Sequence, residues 1–212
     1  MLRKIRISLA AIFFICITLL FLDFTGTIHA WLGWMAKIQF LPAVLALNVG
    51  IIVLLVVLTL LFGRVYCSVI CPLGVMQDII SWFGGKRKRN RFSYSAEKRW
   101  LRYGVLIVFV VLFVAGLNSI ALLIAPYSAY GRIAQNLLAP IWGFGNNILA
   151  FIAERVDSYA FYSTEVWIRS WVTFAVAVAT LGIVGYLAWR SGRTYCNTIC
   201  PVGTVLGFLS RF

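Results

Sequence analysis

Four long apolar runs dominate this chain. A helix that crosses a bilayer needs about 20 mostly apolar residues, because the hydrocarbon core is about 30 Å thick. Residues 7–24, 40–62, 103–125 and 171–189 meet this requirement. The composition agrees, since 62% of the 212 residues are hydrophobic and only 12% are charged, whereas soluble domains are about 25% charged. The sequence therefore predicts an all-α, polytopic membrane protein with four transmembrane helices.

Two apolar segments have a second interpretation. Residues 7–24 follow three basic residues, as a secretory signal would, but no small-residue cleavage site follows cleanly, which favours a retained span. Residues 133–153 contain several polar or helix-weakening residues, and lipid-exposed helices rarely carry so many. We interpret this fifth segment as interfacial, re-entrant or packed against the bundle. Its polar and helix-weakening residues are Gln135, Asn136, Pro140, Gly143, Gly145, Asn146 and Asn147.

The basic residues indicate an orientation. The net charge is +13, from 19 Lys and Arg against 6 Asp and Glu. With four spans and the N-terminus inside, fifteen basic residues lie in the cytoplasm and four outside, and the positive-inside rule favours this arrangement. We therefore expect a multi-pass protein of the cell inner (cytoplasmic) membrane with both termini cytoplasmic. Nucleic-acid binding, which a basic chain can suggest, has no supporting motif.

A twelve-residue motif occurs twice. Residues 63–74 read GRVYCSVICPLG and residues 192–203 read GRTYCNTICPVG, with eight identical positions at an offset of 129 residues. Each copy follows a predicted span that runs towards the cytoplasm. This predicts a two-fold internal repeat within a single membrane domain, residues 1–212. The first half covers about 1–85, a basic cytoplasmic loop covers 84–102, and the second half covers about 103–212.

The motif contains four of the five cysteines, which are Cys67, Cys71, Cys196 and Cys200. Cysteines at i and i+4 share one face of a helical turn, so two such pairs can present four thiolates. Four thiolates suit a [4Fe–4S] cluster or a structural zinc ion. Disulfides are disfavoured in the cytoplasm, and packing cysteines would not recur with the same neighbours. Copper or other thiol chemistry is a further alternative.

The other candidate residues give weaker signals. Cys16 lies within an apolar run and is interpreted as a packing residue. His29 is the only histidine, so a bis-His haem within this chain is impossible. We interpret His29 as interfacial, beside Trp31 and Trp34, with proton acceptance at a quinol site as the alternative.

Two segments follow the first motif. Residues 75–83 predict a short amphipathic helix in which Gln77 and Asp78 are capping or solvated residues, or lie near a cluster or a quinone headgroup. The basic run 84–91 suits anionic lipids or the docking of an acidic redox protein.

At the duplicated motif, the chain resembles the membrane ferredoxins of the NapH and NosR type, also called polyferredoxins or transmembrane 4Fe-4S binding proteins. The resemblance implies that Cys67, Cys71, Cys196 and Cys200 are the motif cysteines, at the cytoplasmic ends of spans. It also implies electron transfer from a quinol pool or towards periplasmic reductase systems. Members usually continue with C-x₂-C-x₂-C-x₃-C-P segments, so we expect either a fragment or a partner that supplies those clusters.

The expected function is that of an integral membrane iron–sulfur electron-transfer protein. It would pass electrons between a quinone pool or soluble ferredoxin and a redox partner, as a component of a complex more than as a stand-alone enzyme. No catalytic residue is predicted. The alternatives are a non-redox membrane scaffold with a structural zinc or free thiols, and a membrane protein that handles copper or thiols.

Overall fold

The computed structural model describes residues 2–23, 26–85, 99–155, 163 and 170–210. These residues form α-helices and two π-helical turns, and no β-strand occurs among them. The π-helical turns are Tyr66–Ile70 and Ala134–Leu138. The helices are α1 (Leu2–Leu22), α2 (Thr27–Lys37), α3 (Phe40–Leu45), α4 (Val49–Phe62), α5 (Pro72–Gly85), α6 (Arg99–Val114), α7 (Asn118–Ile124), α8 (Pro126–Ile133), α9 (Ala139–Glu154), α10 (Trp171–Ser191), α11 (Thr194–Thr198) and α12 (Pro201–Leu209).

Three helical segments of the described chain are long and apolar enough to cross a membrane. They are Lys4–Leu22, Pro126–Glu154 and Trp171–Ser191, and α4 and α6 provide two shorter apolar helices. Many large apolar side chains on these helices are exposed, as lipid-facing residues would be. The prediction of an all-α membrane protein is confirmed.

The second predicted span is divided into two helices. Helix α3 ends in a turn at Leu47, which has a φ of 50°. The N–H of Asn48 donates to the carbonyl of Ala43 at 3.0 Å, and the N–H of Leu47 donates to that of Val44 at 3.1 Å. This pair of hydrogen bonds defines a Schellman motif, which ends a helix. Helix α4 begins at the next residue, with the Asn48 side chain accepting from its first turn.

The third predicted span is divided in the same way. Gly116 has a φ of 76°, the N–H of Leu117 donates to the carbonyl of Leu112 at 2.9 Å, and the N–H of Gly116 donates to that of Phe113 at 3.2 Å. The short helix α7 follows. Because both broken segments are mostly apolar, their composition suggested single spans where the structure has a long and a short helix.

The fifth segment belongs to a continuous helical stretch, Pro126–Glu154. Its polar side chains have partners within the bundle. Asn136 donates to the carbonyl of Arg132 at 2.9 Å and accepts from the Thr173 hydroxyl at 3.2 Å. Arg132 donates to the carbonyl of Leu123 at 2.8 Å.

Packing against the bundle describes the start of the fifth segment, where Ile133 and Ala134 are buried. Helix α9, in contrast, exposes large apolar side chains such as Ile141 and Phe144. The whole stretch is long and apolar enough to cross a membrane.

The two halves pack against each other through the helices that follow the motifs. Helix α5, which follows the first motif, lies along α10, which precedes the second. The two helices run parallel, because Gly84 lies against Trp189 and Ile80 lies against Gly185. Helix α12, which follows the second motif, packs against α4 and α6. The turns that hold the first cysteine of each motif, Tyr66–Ile70 and α11, mainly contact helices of their own half, whereas the helix after each motif reaches a helix of the other half.

Candidate metal centre

Each motif copy begins with a glycine that ends a long helix. Gly63 follows α4 with φ 68° and ψ −141°, and Gly192 follows α10 with φ 68° and ψ −128°. Side chains are strongly disfavoured in this region of φ and ψ, which glycine adopts readily. The equal geometry of the two glycines shows that the sequence repeat is also a structural repeat.

The tyrosine of the first copy is anchored at the start of α3. Its hydroxyl, that of Tyr66, donates to the Gln39 side chain at 3.0 Å and accepts from the N–H of Phe40 at 3.0 Å. The Gln39 amide in turn donates to the carbonyl of Ile70 at 3.1 Å. Gln39 is fully buried. The first motif therefore folds back against the chain instead of continuing away from α4.

The tyrosine of the second copy has an equivalent anchor. The Tyr195 hydroxyl donates to the carbonyl of Ile124 at 2.8 Å, immediately before α8 begins at Pro126. The two contacts differ in direction, because Tyr66 accepts from the N–H of Phe40 in α3, whereas Tyr195 donates to the last carbonyl of α7. In both copies, however, the tyrosine hydroxyl ties the motif to the backbone of another helix.

The second cysteine of each copy lies at the start of a helix. Cys71 and Cys200 are extended, with ψ of 115° and 118°, and the proline that follows each one is the first residue of α5 or α12. Proline suits this position, because the first N–H of a helix has no partner within the helix. The Cys200 Sγ accepts from the N–H of Gly203 at 3.3 Å. Backbone donors at a helix N-terminus favour negative charge on sulfur.

The last glycine of each copy lies against the backbone of the first cysteine. A Cβ atom at Gly74 would clash with the carbonyl oxygen of Cys67, and one at Gly203 would clash with that of Cys196. The glycine therefore allows the two cysteine-bearing segments of one copy to approach closely.

All four motif thiols are buried together. The exposed fractions of Cys67, Cys71, Cys196 and Cys200 are 6%, 2%, 4% and 2%. Burial raises the pKa of every one of these thiols, and that of Cys71 rises to about 12. Thiols of the other motif raise the pKa values of Cys196 and Cys200 further, and such coupling requires that the two pairs lie close together. Four buried thiolates thus need a cationic group between them.

The thiols lie deep in the bundle. Cys67, Cys71 and Cys200 share a buried cluster with Leu55 in α4 and Val184 in α10. Because α5 begins directly after Cys71 and reaches Trp189 at Gly84, the intervening helix covers about 18 Å. That the motifs lie at the cytoplasmic ends of the spans stays a prediction. The motifs start at the ends of α4 and α10, but their glycine turns carry the cysteines back between the helices.

The two motif arginines reach across to the opposite half. Arg193 forms a two-point ion pair with Asp78 in α5. Asp78 corresponds to Gly207 in the second half, at the same offset of 129 residues. A Cβ atom at Gly207 would clash with Nη2 of Arg64 and of Arg102. Arg193 and Arg64 both lower the pKa of Cys67, so their charges favour thiolate.

Two buried residues lie near the site, of which Gln77 was placed near a cluster only as an alternative and Arg102 was not predicted there. Gln77 is fully buried and donates to the Cys196 Sγ at 3.4 Å, so it is neither a cap nor solvated. Arg102, which the sequence suggested only as a topology signal, is 2% exposed and donates to the carbonyls of Gly203 and Thr204. Their partners are more than 100 residues away in sequence, so local patterns carried no signal for these contacts.

The remaining candidates lie apart from the four thiols. Cys16 is a half-buried free thiol in α1. His29 is exposed in α2, and its backbone N–H donates to the Asp23 carboxylate. The basic residues 86–91 lie outside the described residues. The predicted helix at residues 75–83 is confirmed as part of α5, although α5 packs into the bundle.

The donor set fits an iron–sulfur cluster. Four Cys thiolates are the usual ligands of a [4Fe–4S] cluster. Within the described ranges, no three His, Cys, Asp or Glu side chains are close enough to hold a single metal ion. A single zinc ion with Zn–S bonds of about 2.3 Å would hold its sulfurs about 4 Å apart, whereas a four-iron cluster separates them further. The site and the fold together define a class, the membrane iron–sulfur proteins.

Comparisons with known proteins agree with this class. A family described as a 4Fe-4S binding domain matches residues 44–90 and 171–212, which include both motif copies. The chain is 28% identical over 170 residues to the ferredoxin-type protein NapH of Escherichia coli K12, covering 80% of this chain and 46% of NapH. It is 23% identical over 150 residues to the methylamine utilization ferredoxin-type protein MauN of Methylobacillus flagellatus, covering 71% of this chain and 40% of MauN.

The chain is similar to the NapH-type membrane ferredoxins, and these comparisons support a [4Fe–4S] cluster as its cofactor. The matched region is less than half the length of either curated relative. No solved structure matches the chain.

Proposed function

We propose that this protein is an electron-transfer subunit in which Cys67, Cys71, Cys196 and Cys200 ligate one [4Fe–4S] cluster. The burial of these four thiols from two repeated motifs at one place carries the proposal. When bound, the cluster supplies a one-electron carrier. The chain contributes the thiolates, backbone N–H donors to sulfur and two arginines that balance negative charge. Burial and hydrogen bonds to sulfur set the reduction potential.

The first experiment is metal analysis of the anaerobically purified protein. We expect iron and sulfide at four of each per chain, and an EPR signal of a reduced cluster. Replacing any one of the four motif cysteines by serine should reduce the iron content. Cys16→Ser is the matched control, because Cys16 lies outside the motifs, and it should retain the cluster. A protein that binds one zinc per chain and no iron would overturn the proposal in favour of a structural scaffold.

We further propose the orientation in which both termini lie in the cytoplasm of a cell with an inner membrane. Fifteen of the nineteen basic residues are then cytoplasmic, as the positive-inside rule favours. A crossing by Pro126–Glu154 is compatible with this count. This stretch starts two residues after Ile124, whose carbonyl accepts from Tyr195 of the second motif. Because that motif folds inwards, α6, α7 and Pro126–Glu154 together cross the membrane once in this proposal. Reporter fusions after Ser210 test the orientation, and an external C-terminus would contradict it.

A quinone is the redox partner that the buried position favours. A mostly apolar groove of about 480 Å³ lies between α1 and α9, lined by residues that include Thr18, Trp142 and Gly145. Its volume is in the range of small-molecule sites. The Thr18 hydroxyl bonds to that of Tyr130 at 2.6 Å, and Tyr130 belongs to the same buried cluster as Cys67. A lipid-soluble carrier in this groove would therefore lie next to the buried cluster that contains three of the four thiols.

The quinone proposal is tested by adding a quinol to the oxidised protein in nanodiscs and following cluster reduction. Gly145→Phe should fill the groove and slow the reduction. Gly182→Phe in α10, where an added Cβ also meets no atom within 4 Å, is the control and should leave the rate unchanged. If quinol fails to reduce the wild-type cluster while a soluble ferredoxin or a reductase subunit reduces it, the partner is a protein and the quinone proposal is wrong.

A further inference from the structure

The two halves differ at one fully buried position beside the thiols. Gln77 in α5 and Leu206 in α12 are related by the repeat offset of 129 residues, and both have an exposed fraction of 0%. One half therefore places a primary amide where the other half places an apolar side chain. The cysteines, the proline and the glycines of the two motif copies are identical, so this difference, together with that between Asp78 and Gly207, breaks the symmetry of the site.

The buried Gln77 amide is only partly hydrogen-bonded. Its Nε2 donates to the Cys196 Sγ at 3.4 Å, but its buried Oε1 has no hydrogen-bond partner among the described residues. Leaving a buried acceptor unsatisfied typically costs about 1–3 kcal/mol. Leu206 shows that the equivalent position accepts an apolar side chain of similar size. Packing alone would favour leucine at both positions.

We propose that Gln77 is a positioning residue that raises the reduction potential of the cluster through its hydrogen bond to Cys196. This inference rests on the proposed ligation of the cluster by the four cysteines. Reduction adds negative charge to the cluster and its sulfurs, so an N–H donor to sulfur stabilises the reduced state more than the oxidised state. By the repeat, Cys67 is the counterpart of Cys196 and Leu206 that of Gln77, so the second half supplies no amide at the equivalent position. The reduced state is stabilised on the Cys196 side.

The test compares Gln77→Leu, Leu206→Gln and the double exchange with the wild type, by EPR-monitored redox titration. A hydrogen bond to a charged acceptor commonly shifts an equilibrium about tenfold, which corresponds to about 59 mV for one electron. Gln77→Leu should lower the potential by this order, Leu206→Gln should raise it, and the double exchange should return it towards the wild-type value. Gln77→Leu should also leave the thermal stability of the cluster-free protein equal or higher, which separates tuning from a structural role.

The outcomes are distinguishable. A Gln77→Leu protein with a full cluster and an unchanged potential would overturn the inference and leave the proposed function intact. If Gln77→Leu assembles no cluster, the Leu206→Gln variant becomes the test. A Leu206→Gln protein whose reduction potential does not rise would then overturn the inference. A wild-type protein without iron and sulfide would overturn the proposed function and this inference with it.

Discussion

At the scale of single residues, the last glycine of each motif copy is a steric requirement. A Cβ atom at Gly74 or Gly203 would meet a backbone carbonyl, which cannot move aside as a flexible side chain could. We expect Gly74→Ala and Gly203→Ala each to lower the free energy of unfolding by about 3 kcal/mol and to reduce cluster content. Thermal unfolding in detergent and iron analysis measure both effects. Gly182→Ala, where nothing lies within 4 Å, should be neutral or slightly stabilising.

The ion pair between Asp78 and Arg193 should couple the two halves. Its side chains are 37% and 28% exposed, so solvent screening limits its contribution to about 1 kcal/mol. A double-mutant cycle with Asp78→Asn and Arg193→Gln should give a coupling energy of this order. Asp78→Asn combined with Arg190→Gln, whose guanidinium binds Tyr186, is the control cycle. Equal coupling in the two cycles would show that the pair is not specific.

Local patterns predicted the four thiols but not their neighbours. Cys67, Cys71, Cys196 and Cys200 stand in a repeated motif, which is visible in the sequence. Gln77 contacts Cys196 across 119 positions, and nothing in its own helix distinguishes it from a capping residue. Asp78 was equally ambiguous, because its partner is in the other half. Residues that act through tertiary contacts need the fold before they can be recognised.

At the scale of helices and turns, the two glycines that precede the motif arginines direct the cysteines inwards. Gly63 and Gly192 have the same φ of 68° and meet no atom within 4 Å of an added Cβ. Alanine at either position should therefore destabilise the protein through backbone strain alone, by about 1–3 kcal/mol. Gly104→Ala in α6, which is also uncrowded and without positive φ, is the comparison. Thermal unfolding that is unaffected by both turn variants would contradict this role.

The long apolar runs predicted helices correctly but not where those helices break. Residues 7–24 and 171–189 correspond to α1 and α10, whereas residues 40–62 and 103–125 each contain a turn. The first turn is formed at Leu47, an apolar residue with positive φ, which gives no signal in a hydropathy pattern. Gly116 and Asn48 were the residues in the sequence that could have indicated these two turns. A hydropathy pattern identifies segments that are stable in lipid, but it does not show whether such a segment forms one continuous helix.

At the scale of the whole molecule, the fold encloses the thiols within the helical bundle. Helix α5 covers about 18 Å between the residue after Cys71 and Gly84, which lies at the end of α10. The helix after each motif also packs against a helix of the other half. All four thiols are buried, so a charge on them is less screened by salt than a charge at the surface.

This depth predicts weak access of aqueous reagents to the cluster. In nanodiscs under anaerobic conditions, a water-soluble dysprosium chelate should enhance the EPR relaxation of the reduced cluster only weakly, because dipolar relaxation falls steeply with distance. A nitroxide attached to a Ser210→Cys variant provides the comparison, since Ser210 is exposed at the end of α12, and its relaxation should be strongly enhanced. Comparable enhancement of the two centres would place the cluster at the surface. Because a buried cluster exchanges electrons most easily with a carrier that enters the bilayer, the same measurement also bears on the quinone proposal.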